Sequence, residues 1–130
     1  MEANTYVEYT AGTYPGGDLT FKGDISANNL DSGYTAKAFI KTLDVANNYT
    51  TVINQTTTLG AAVTSFTIIA TGINTAHVVQ YGFVVEGINA NSVNETALGS
   101  VIITPGLTVL SVDAVSSNFS IYTPIQWAAY

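Results

Sequence analysis

The chain carries few residues able to do chemistry. It has one histidine, His77, no cysteine and no arginine. A Ser-His-Asp arrangement needs a histidine base beside a presented serine, and no serine stands in a G-x-S-x-G turn. His77 therefore reads as a histidine at the start of a strand. Two carboxylates could serve glycoside hydrolysis if they stood about 5–10 Å apart. Asp24 and Glu86 are the pair to inspect, but nine acids scattered along the chain make a chance pairing easy. No H-E-x-x-H, EF-hand or Cys/His spacing is present. Calcium takes oxygen ligands from loop carboxylates, and Asp18 and Asp113 are weak candidates, with Asp31 and Asp44 behind them. The ordinary role of Asp18 and Asp31 is to nucleate turns. The expectation is a protein without catalysis, with structural calcium as its one conceivable cofactor.

More informative is where the cations lie. The three lysines are Lys22, Lys37 and Lys41, and alternation places Lys37 and Lys41 on one strand face with Phe39 between them. A strand facing water has no need of Phe39 there. On the polar side of another strand come Gln80 and Glu86, with Gly82 leaving an indentation between them. An aromatic ring flanked by long hydrogen-bonding side chains suits a sugar: the ring covers its C–H face and the polar groups read its hydroxyls. The candidate binding set is thus Lys37, Phe39, Lys41, Gln80 and Glu86. The competing reading is that this face is covered and the lysines merely pair with Asp24 or Glu86.

The elements that would position these residues are strands. Leu19, Phe21 and Ile25 alternate with Lys22, Asp24 and Ser26, the rhythm of a half-buried strand. Residues Tyr34–Asp44 follow, with Ala36, Ala38 and Ile40 on one face. Then come Tyr49–Thr57, Ser65–Thr71 and the long His77–Ile88, whose Val79, Tyr81, Phe83 and Val85 share a face. Gly99–Thr104 and Leu107–Val115 read as strands too, and Thr5–Thr10 and Phe119–Tyr122 as weaker ones. Pro15-Gly16-Gly17-Asp18, Asp31-Ser32-Gly33, Ala46-Asn47-Asn48 and Pro105-Gly106 punctuate them. No window repeats apolar residues at helical spacing. The prediction is one all-β domain over residues 1–130, an antiparallel β-sandwich with a jelly roll as the leading version.

Composition narrows the partners. Of 130 residues only 9% are charged, against about 25% in an average soluble domain. The net charge of −6 and the absence of arginine argue against a phosphate-tracking nucleic-acid binder. No apolar run is long enough for a membrane helix, so no membrane insertion is expected. The surface is instead built from 19 Thr, 11 Asn and 9 Ser, polar without being ionic. Such surfaces suit an extracellular or cell-surface location, although no signal peptide follows Met1-Glu2. Asn-x-Ser/Thr sequons begin at Asn48, Asn54, Asn94 and Asn118 and matter only where the source glycosylates.

The run from Tyr34 to Lys41, then Ser65-Phe66-Thr67-Ile68, then Val79 to Ala90 resembles the jelly-roll carbohydrate-binding modules appended to bacterial polysaccharide hydrolases. The likeness covers about residues 19 to 104 and lies in strand rhythm more than in fixed residues. It implies a concave sheet that binds a polysaccharide without catalysis, often with a structural calcium. Lys37, Phe39, Lys41, Gln80 and Glu86 are the residues that fall on such a face. The chain departs from the family's opening Gly-Asp/Asn-Phe-Glu-like stretch at Leu19-Thr20, and its single tryptophan, Trp127, lies outside the resembling region. A second expectation competes: a self-assembling capsid, surface-layer or fibre subunit, with segments 1–14 and 119–130 contacting copies of itself.

Overall fold

The structure, a computed structural model, describes residues 2–88, 95–105 and 124–126. Its strands are β1 (Glu2–Tyr9), β2 (Gly17–Asn28), β3 (Tyr34–Asp44), β4 (Thr50–Thr58), β5 (Ser65–Ile73), β6 (Val78–Gly87), β7 (Ser100–Pro105) and β8 (Pro124–Gln126). A 3-10 turn at Val45–Asn47 and a four-residue helix, α1 (Glu95–Leu98), complete them. The strands form two antiparallel sheets, β1-β6-β3-β4 (sheet A) and β5-β2-β7-β8 (sheet B). This is the antiparallel sandwich expected from the alternation. The strand order does not by itself establish the jelly-roll version of it.

Period-two patterning decides which side chains meet between the sheets. Sheet A turns Ala36, Ala38, Ile40, Val79, Tyr81, Phe83 and Val85 inward, and sheet B turns Leu19, Phe21, Phe66, Ile68, Ala70, Val101 and Ile103 to meet them. Phe21 is the hinge of this core, with its ring centroid 5.1 Å from Phe66, 5.2 Å from Tyr81 and 5.3 Å from Phe83. Its contacts to Tyr81 and Phe83 join the two sheets. Tilted and edge-to-face pairs of this kind add about 0.5–1.5 kcal/mol each beyond area burial.

Among the described residues, the one fully buried threonine is satisfied locally. Thr42, fully buried, accepts the Ile53 N–H with its hydroxyl at 3.1 Å where the β3–β4 register shifts. Asp44 caps the 3-10 turn by accepting the Ala46 N–H, and Asn48 and Tyr49 adopt positive φ to send the chain back as β4. Asparagine tolerates that conformation better than most residues.

The N-terminal segment expected to reach a neighbour completes this chain's own sheet: β1 pairs with β6 along its whole length, and Tyr14 lies in the core. Of the segment 119–130, the described residues 124–126 pair with β7. The strands expected at 107–115 and 119–122 lie outside the described residues.

Tyr14 and Tyr81 give the core a pH limit. The Tyr14 hydroxyl donates to the Asp18 carbonyl oxygen at 3.0 Å. Burial first, then Tyr9 and Asp18, push its ionisation up to about 12 from 10.0. Burial, then Tyr9 and Tyr14, push Tyr81 up as well. A raised folded-state pKa stabilises the fold fully below the unfolded value and ceases to do so as pH rises through the folded one. The urea midpoint should therefore hold steady to about pH 10 and fall steeply by about pH 12. Tyr14→Phe should flatten part of that fall; a midpoint independent of pH across the interval would contradict this account.

Candidate functional site

Sheet A has a second face, turned away from the core, and the register assembles it in rows. Glu8, Gln80, Lys41 and Asn54 form one row; Tyr6, Gly82, Phe39 and Thr56 the next; Asn4, Val84, Lys37 and Thr58 the third; Glu2, Glu86 and Thr35 the fourth. All five residues singled out from the sequence, Lys37, Phe39, Lys41, Gln80 and Glu86, stand on this outer face.

Their exposure differs from expectation in one respect. Phe39 points outward but is only 5% exposed. The Tyr6 ring leans toward it at 6.3 Å, and the Lys41 ammonium lies 5.8 Å from its centroid. The latter distance is within cation–π range. Phe39 is therefore a floor, and the ring open to solvent is Tyr6, at 47%. Gly82 explains the arrangement. It sits between Tyr6 and Phe39 in their row, and a Cβ there would overlap the Thr5 carbonyl oxygen and the Tyr6 backbone. Without a side chain at this point, β1 approaches closely and the two rings meet above it.

A groove of about 300 Å³ opens over Phe39 and Val84. Its sides are Glu2, Asn4, Lys37 and Glu86 toward one end and Lys41, Asn54 and Thr56 toward the other. That volume is at the low end of small-molecule sites. Lys37 Nζ and Glu86 Oε2 are 2.8 Å apart, so one lysine does take the carboxylate partner foreseen by the competing reading. With both side chains partly exposed, such a bridge contributes about 0–1 kcal/mol and orders the rim more than it stabilises it. Asn4 Nδ2 donates to Glu2 Oε1 at 2.8 Å, and Gln80 Nε2 donates to Glu8 Oε2 at 2.6 Å. Gln80 stands on the face but not among the groove's lining residues. The arrangement is an apolar floor within a rim of amides, hydroxyls, one Lys–Glu pair and the separate charges of Glu2 and Lys41.

Sequence reasoning missed Tyr6, Asn4, Asn54 and Thr56. The signal for Tyr6 was its alternation with Glu2, Asn4 and Glu8, which marks the polar face of β1. The remaining candidates have local roles. Asp24 is on sheet B and Glu86 on sheet A, and both point outward, so the sandwich separates the two carboxylates. Asp18 accepts the Gly72 N–H at 3.2 Å, and Asp31 accepts the Gly33 N–H at 3.0 Å in its turn. Among the described residues no three metal-ligating side chains converge; Asp113 lies outside them. His77 follows a turn, its N–H bonded to the Asn74 carbonyl oxygen.

Gly82→Ala should lower stability by about 1–3 kcal/mol, as forced overpacking does, and raise hydrogen exchange along β1 more than along β3. Equal protection of β1 in wild type and variant would show that the close approach at Gly82 does not hold the strand. Compared with protein-family models, with curated proteins and with solved structures, the chain matches none.

Proposed function

We propose that this chain is a non-catalytic carbohydrate-binding module that recognises a neutral polysaccharide on the outer face of sheet A. The observation that carries the reading is the groove over Phe39 and Val84, with the open ring of Tyr6 beside it. Asn4, Asn54 and Thr56 offer amide and hydroxyl groups suited to sugar hydroxyls, and Tyr6 offers an apolar face for a pyranose ring. A neutral ligand is favoured because Glu86 engages Lys37 and the other lysine of this face, Lys41, shares it with Glu2 and Glu8. Glu2 beside them would repel a uronic acid or sulfated sugar. The separation of Asp24 from Glu86 supports binding without hydrolysis. A hydroxyl-rich, weakly charged surface fits work at a cell surface or outside it, and a jelly-roll wrapping is the version of the sandwich this reading favours.

One exposed ring and a few hydrogen bonds give weak affinity, on the order of micromolar to millimolar. Affinity electrophoresis through gels containing neutral polysaccharides (β-glucan, xylan, mannan) should retard the wild-type chain in at least one gel. Tyr6→Ala should weaken that retardation by about tenfold, the equivalent of about 1.4 kcal/mol. Asp24→Asn, on the other sheet, should leave it unchanged. No retardation in any gel, or equal loss in both variants, would refute the assignment.

A further inference from the structure

Sheet A ends on β4, and beyond a bulge near its start this edge lacks the usual protection. Of its nine residues, Thr-Thr-Val-Ile-Asn-Gln-Thr-Thr-Thr, seven are exposed, and none is charged, proline or glycine. Edge strands that stay single are generally guarded by lysine, proline or a bulge. The one bulge along this ladder lies in β4 itself, at Val52, where Ile53 pairs with Thr42 and Thr51 with Leu43; it stands near the start of the strand and leaves Ile53–Thr58 in regular register. The opposite edge, β1, carries Glu2 and Glu8. Among the described residues no strand pairs with β4 beyond β3.

The ladder tells which backbone groups face outward. Leu59 N–H donates to the Ala36 carbonyl oxygen at 2.8 Å. In an antiparallel pair the bonded positions alternate, so Thr57 and Gln55 also exchange bonds with β3. Asn54, Thr56 and Thr58, opposite Lys41, Phe39 and Lys37, turn their N–H and C=O groups away from the sheet.

We propose that β4 pairs antiparallel with β4 of a second copy of this chain, joining two A sheets into one. Charge selects the partner. Each copy carries −6, so most approaches of two copies bring acids together, but no charged residue occurs between Asp44 and Glu86. That stretch contains both β4 and β5, which lie against each other at one side of the sandwich. A basic or acidic partner finds nothing to pair with there, whereas a second copy presents the same neutral, threonine-rich strand about a two-fold axis. Val52, 54% exposed, adds apolar surface. Nine residues span about 30 Å and two sheets are about 10 Å apart, so a wall about 20 Å deep with its side chains covers about 600 Å² per copy. The total of about 1,200 Å² reaches the range of specific interfaces. If the glycan reading also holds, the two Phe39 floors would lie about 14 Å apart on one continuous face, three strand spacings, and one polysaccharide chain could occupy both.

Sedimentation equilibrium without any glycan tests the pairing independently of sugar recognition. The wild-type chain should be dimeric at about 0.5 mM, where a micromolar complex is almost fully formed. Thr56→Pro removes an outward N–H that β3 does not use, and Thr56→Lys puts like charges at the seam. Both should weaken dimerisation at least tenfold while keeping the far-ultraviolet dichroism of the wild-type sheet. A monomeric wild type would overturn the proposal and leave the edge to a foreign strand, and a dimer unaffected by both variants would overturn it in favour of another interface.

Discussion

Gly82 has no side chain, and the outer face of sheet A is organised around that gap. It lets the backbone of β1 come close enough for Tyr6 to reach Phe39 across the sheet. β6 is one of the two inner strands of sheet A, and it is buried on both faces through Val78, Gly82 and Val84 as well as through its core side. The outward cover comes from neighbours in adjacent strands. A single small residue thus ties together the docking of an edge strand, the concealment of Phe39 and the exposure of Tyr6. Glycine in a strand often marks such a close approach.

The scarcity of charge shapes the rest. Five charged groups, Glu2, Glu8, Glu86, Lys37 and Lys41, gather on or beside one face: Lys37 pairs with Glu86, Glu2 and Glu8 each accept from a neighbouring amide, and Lys41 lies against the Phe39 ring. The β4–β5 side of the molecule has none. One part of the surface can therefore present hydrogen-bonding groups to a ligand while another can approach a like copy without repulsion. Both properties follow from where the few ions are placed along the chain, and neither requires a deep cavity.

Much of this was legible in the sequence because period-two alternation is strict where both sheets bury a face. Tyr34–Asp44 was bounded as it folds, and the assignment of Val79, Tyr81, Phe83 and Val85 to the core and of Gln80, Gly82, Val84 and Glu86 to the other face holds residue by residue. The outward direction of Phe39 was equally plain. What covers it was not, because that depends on which strand lies beside β6. The contribution of β1 was obscured by weak contrast, since tyrosine occurs on both of its faces, with Tyr6 outward and Tyr9 against the core. Sheet order is a property of long-range pairing, and local rhythm carries no trace of it.

The central claim, that ligand recognition resides on the outer face of sheet A, is tested most directly by nuclear magnetic resonance of the labelled chain titrated with soluble oligosaccharides derived from neutral polysaccharides. Saturable shift changes concentrated at Tyr6, Phe39, Lys41 and Asn54 are the predicted result. The absence of any saturable change, or changes confined to the outer face of sheet B around Lys22 and Thr67, would contradict the account.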